Sequence, residues 1–227
     1  MRPLCLLTCM VLPFFTTAQV NMSGSGTEIK DIYDVSGRPL VTLNNTAIVG
    51  SPLFADSWAK GTVTFTSGRY ITNAMLRFNV YSNELAYKVG ELVFRFLDQV
   101  QSFQLTYGNE TASDTFQFRN GYPATGKNGS TVFYEVLATG GRYQLLKHHY
   151  KVLKDYYEYG SAPTKAYRDG TELWLYDSKT QGMTQVRNIH ELVKEMPDLA
   201  ALLIKQPLHK SGPAMEKEVA ALINRLE

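Results

Sequence analysis

Between Trp58 and Tyr176 apolar and polar residues alternate with a period of two, and short turn sequences interrupt the alternation repeatedly. Successive side chains of a strand point to opposite faces, so this period sends one face to a core and the other toward water. A helical bundle would need a period of 3.6 instead. Trp58 and a turn at Gly61 open the stretch, and Val63 and Phe65 then alternate with Thr62, Thr64 and Thr66 ahead of Ser67-Gly68. Leu76, Phe78 and Val80 alternate with Arg77, Asn79 and Tyr81 before Ser82-Asn83. Leu85, Tyr87 and Val89 face Leu92, Phe94 and Phe96 across Gly90-Glu91, a two-residue connection that joins antiparallel neighbours.

Further strands read at 100–107, 115–118, 131–139 and 142–152, the last two flanking Gly140-Gly141. A final pair, 164–167 and 172–176, flanks Asp169-Gly170. The total of roughly nine or ten short strands predicts a mainly β fold, an antiparallel meander forming a sandwich, a half-barrel or a barrel. Which closure it takes is left open by the pattern.

Past Gly182 the period changes. Asn188 precedes Glu191 at capping-box spacing, and Leu192, Val193 and Met196 follow on one helical face. Pro197 can open a second helical turn carrying Leu199, Leu202 and Leu203 until Pro207 stops it. Beyond Ser211-Gly212-Pro213, Met215, Val219, Leu222 and Leu226 make one apolar stripe. These C-terminal α-helices are expected to pack on the sheet, with a partner-binding helix as the alternative.

The N-terminus reads as an address. Arg2, the apolar run 4–15 and Thr16-Thr17-Ala18 have the form of a secretory signal, and Pro13 argues against a buried element there. A looser reading takes Leu6-Leu7-Thr8-Cys9 as a lipobox. Cleavage after Ala18 removes Cys5 and Cys9, the two cysteines, and so excludes disulfides and thiol chemistry from the mature chain. No later apolar run approaches the ~20 residues of a membrane-spanning helix, so no transmembrane segment is expected in the mature chain. The resulting division is a signal peptide at 1–18, an N-terminal extension at 19–57 with candidate strands at 29–35 and 40–43, an antiparallel β domain at 58–181 and a helical segment at 182–227. Lys+Arg of 23 against Asp+Glu of 21 gives a net charge of +2, too weak a field to argue for nucleic acid.

Taken in order, Gly50-Ser51-Pro52, Trp58, Gly61-Thr62-Val63, the run from Leu76 to Leu85, the late Leu173-Trp174-Leu175-Tyr176 and the Leu-rich tail resemble a group of uncharacterised exported proteins of Gram-negative bacterial envelopes. The resemblance runs from about Gly50 to the end and implies a periplasmic or outer-membrane-associated setting. Its motifs are turns and strands, so it carries over no catalytic residue and no cofactor.

Candidate chemistry is sparse. His148 and His149 adjoin on one strand and point to opposite faces, so they cannot chelate one metal together. A hydrolase would need His148 or His149 with Asp155; the competing reading puts the histidines at a strand edge and Asp155 and Glu158 on a solvated face beside Lys147, Lys151 and Lys154. His190 with Glu191 lacks zincin spacing, His209 lies in a loop, and no nucleophile elbow, P-loop or dinucleotide fingerprint occurs, so no metal and no cofactor is expected. Tyrosines are the one surplus. Tyr150, Tyr156, Tyr157 and Tyr159, with Tyr167 and Tyr176 nearby, suit either cross-strand packing or recognition of a glycan or protein. The expected function is an exported, non-catalytic binding or structural module of the bacterial cell envelope, its partner an envelope protein, glycan or lipid. The alternatives are a carrier holding a lipid or other apolar ligand among Phe78, Phe94, Phe96 and Phe103 in a half-open barrel, and the hydrolase.

Overall fold

Asn83 and Gly90 take the positive backbone angles, φ 57° and 56°, that tight connections demand, and the strands that they join lie side by side. A computed structural model of the chain describes residues 38–39, 48–109, 111–160, 163–196 and 208–225. Its strands are β1 (Arg38–Pro39), β2 (Ile48–Val49), β3 (Ala59–Phe65), β4 (Tyr70–Asn79), β5 (Glu84–Val89) and β6 (Leu92–Arg95). There follow β7 (Val100–Gly108), β8 (Ser113–Arg119), β9 (Tyr134–Thr139), β10 (Tyr143–Tyr156), β11 (Thr164–Asp177) and β12 (Gly182–Val186). The order across the sheet is β1-β6-β5-β4-β3-β7-β8-β9-β10-β11-β12. Two meanders are thus joined where β7 pairs antiparallel with β3. β2 makes the sheet mixed by pairing parallel with β11, Ile48 against Lys165 and Val49 against Ala166. The fold is mainly β, its sheet is not closed into a barrel among the described residues, and its C-terminal helices pack on it.

Three local expectations change. Gly61 is not in a turn but inside β3, where the ladders to β4 shift register. A Cβ there would stand 2.0 Å from the Gln104 carbonyl oxygen, so close approach of backbone is what selects glycine. Asp169-Gly170 does not turn either: β11 runs straight through it, with Gly170 opposite Tyr150. The Tyr150 ring covers the bare glycine, a hypothetical Cβ lying 2.3 Å from its Cζ, which supplies the packing that the missing side chain cannot. Finally β12 extends the sheet into the segment expected to be helical, pairing Leu173 through Asp177 with Val186 through Gly182.

The helices are α1 (Ile189–Glu195) and α2 (Gly212–Ile223). The Asn188 side chain accepts from the backbone N–H groups of His190 and Glu191, and the Glu191 carboxylate accepts in return from the Arg187 N–H, which satisfies donors that a helix start leaves free. Met215, Val219 and Ile223 of α2 are buried beside Leu145, Leu173 and Leu175. Leu222, at the edge of that stripe, is partly buried. The helix expected from Pro197, Leu226, the strands at 29–35 and 40–43 and the signal at 1–18 lie outside the described residues.

Successive residues on β10 serve different layers. Leu145 packs with the helices, whereas Leu146 packs with Tyr122 and Tyr134. Both are 0% exposed, so the sheet is covered on both faces here. A third cluster, rich in phenylalanine, fills the sheet's first half around Phe65, Phe78, Phe103 and Phe118.

Candidate functional site

β9 reaches β10 only between Gln144 and Lys147, and β12 reaches β11 only between Leu173 and Asp177. Beyond His148 the two strands therefore continue as a ribbon, met near its far end by β2 at Lys165 and Ala166. Tyr156 opposes Thr164 at the far end. Just past it, Tyr157 and Tyr159 are 73% and 106% exposed. The four tyrosines thus divide. Tyr150 is a packing residue: its ring covers Gly170, lies 5.5 Å from the His148 ring and receives the Lys127 ammonium at 5.2 Å. Tyr156 lies under the Arg168 guanidinium at 5.7 Å, while Lys151–Asp169 and Lys165–Asp155 brace the ribbon at 2.9 and 3.5 Å. Tyr157 and Tyr159 offer flat apolar bodies with polar tips to the surroundings.

The two histidines do point apart. His148 is buried, its Nδ1 3.3 Å from Asn128 Nδ2 and 3.4 Å from Glu172 Oε2. Burial pushes its pKa below the ordinary value, with Glu172 acting against that shift. Tyr134 and Tyr150 flank the ring, and the Asn128 amide also donates to the Tyr134 hydroxyl. His149 faces the opposite side and donates from Nε2 to Glu135 Oε2 at 2.5 Å. Phe54 meets its ring edge-on at 5.1 Å. Asp155 does not join either histidine: it lies roughly 20 Å down the same strand at ~3.3 Å per residue, bonded to Lys165. The carboxylate that the His149 pairing takes is Glu135, which could be found from the sequence only with the β9–β10 register in hand. No three His, Cys, Asp or Glu side chains converge as a metal site among the described residues.

Phe78 and Phe103 are each 2% exposed, with ring centroids 5.1 Å apart, and both meet Phe118 and Phe133. They occupy the interior rather than line an opening. Phe94 and Phe96 are partly buried against Tyr87, at 5.4 and 4.5 Å. Phe96 also lines an open pocket of about 610 Å³ at the edge of this core, together with Leu85, Val100, Phe133, Arg95 and Asn120. Phe54, which the alternation did not single out, packs on Phe116 and Phe118 and helps to seat His149.

Comparison with protein-family models, with curated proteins and with solved structures finds no match to this chain.

Proposed function

We propose that this chain is an exported, non-catalytic binding module of the bacterial cell envelope, contacting an envelope protein or glycan through the tip of the β10–β11 ribbon. The observation that carries the reading is the exposure of Tyr157 and Tyr159 at the end of the β10–β11 ribbon, which β2 braces at Lys165 and Ala166. Large aromatics are costly to leave in water, and they lose little rotamer entropy when they meet a partner. Export rests on the signal-like sequence 1–18, and it requires a mature N-terminus at or near Gln19 by mass spectrometry. Intact Met1, or an acylated Cys9, would overturn that part.

The binding test pairs Tyr157→Ala/Tyr159→Ala with the unaltered protein in co-sedimentation with purified envelopes. The double variant should keep its melting temperature and lose most of the sedimented fraction. Equal sedimentation of the two proteins would refute the tip as the contact. A second reading, the carrier of an apolar ligand, draws support from the pocket beside Phe96. It predicts that a solvatochromic fatty-acid probe is displaced by Phe96→Trp, whereas Phe78 and Phe103, already packed together, are insensitive positions for ligand contact.

A further inference from the structure

A cleft of about 550 Å³ separates α2 from the face of β9 and β10 that carries Glu135 and His149. It lies between the phenylalanine cluster and the cluster under the helices, because Phe116 borders it on one side and Leu137 on the other. Close packing would ordinarily fill such a gap with large side chains. Helix α2 instead turns Ala220 and Ala221 toward it.

Four ionisable side chains stand inside, each 13–20% exposed. Glu135 lies opposite Lys147 on the neighbouring strand, yet bonds to His149 one pleat further along. That choice frees Lys147 to bond Glu216 of α2 at 2.7 Å. Ion pairs withdrawn from water in this way are weak contributors to stability, since desolvation offsets most of the attraction. A few polar groups set in a cleft with apolar walls are the pattern of a ligand site.

Charge balance selects the ligand. A simple anion would confront Glu135 and Glu216, and a simple cation would confront Lys147 and, at the rim, Lys217. A neutral apolar molecule would strip water from all of these and return nothing. We propose that the cleft binds a small zwitterion with an apolar body, its ammonium received by Glu135 and Glu216, its anionic group by Lys147, and its apolar part by Phe116 and Leu137. Two sources share this chemistry: a short hydrophobic peptide with free ends, and the phosphoethanolamine head group of a lipid.

Titration calorimetry on the full chain separates them, using leucyl-leucine and lauroyl-lysophosphatidylethanolamine as probes and N-acetyl-leucyl-leucine amide as the uncharged control. One of the two zwitterions should bind with Kd below about 1 mM, and the control should not. Glu216→Gln, which keeps a hydrogen-bonding oxygen beside Lys147, and Lys147→Met should each weaken that binding by about tenfold or more. Tyr157→Ala/Tyr159→Ala should bind the zwitterion as the unaltered protein does, so failure of the ribbon-tip reading and failure of this one are told apart. Absence of heat with both zwitterions at millimolar concentration overturns the proposal, as does equal binding of the control or undiminished binding by both cleft variants.

Discussion

A methyl group added at position 61 would meet the Gln104 carbonyl oxygen at 2.0 Å and the Leu76 side chain at 2.6 Å. The first obstacle is backbone held in the β3–β7 ladder, so Gly61→Ala forces the strands apart and should cost about 1–3 kcal/mol as overpacking, measured as a lower urea midpoint. Gly170→Ala first meets the Tyr150 ring, a side chain that can swing aside, and should cost less in the same assay. Titration gives a second expectation. Burial holds the His148 pKa below 6.5, so its contribution to stability is complete above pH 6.5 and is lost as the pH falls through the lower folded value. Between pH 7.5 and 5 the unaltered protein should therefore lose more stability than His148→Gln. Asp177 does not blur this window. Its hydrogen bonds from Arg142, at 3.0 and 2.8 Å, hold its pKa at about 2, against an ordinary 3.8, so its stabilisation is lost only in strong acid.

At the scale of elements, α2 is fastened by its apolar stripe rather than by its cap, since Ser211 makes no side-chain capping bond. Met215→Ala and Ile223→Ala should each cost about 2–5 kcal/mol, read by chemical denaturation. Truncation before Pro213 should uncover Leu145 and Leu175 and raise the binding of a hydrophobic dye. What the sequence made legible follows the same physics. β4, β5 and β6 can be read because Asn83 and Gly90 punctuate a clean alternation, and α1 because Asn188 and Glu191 cap it. β11 cannot be read whole, because Asp169-Gly170 has turn chemistry and the compensating Tyr150 lies on another strand. β12 carries too few apolar residues to announce itself. The His149–Glu135 pair is equally hidden: a register shift opposite Leu145 and Leu146 decides which β9 residue comes within reach.

For the whole molecule, far-UV circular dichroism should report strand well in excess of helix, and a mostly helical spectrum would contradict the architecture. The sheet has two ends, and the chain upstream of β3 reaches both, β1 on β6 and β2 on β11. Phe54, only a few residues after β2, is seated among Phe116, Phe118 and His149. β2 is made early in synthesis and its partner late, so every intervening strand precedes their meeting. Closing a loop of that length carries a large entropic cost before any contact offsets it, and such non-local pairings slow folding. Ile48 and Val49 thus stay without a ladder until Lys165 and Ala166 arrive, whereas Phe54, bonded to the Phe78 carbonyl, can be seated before them.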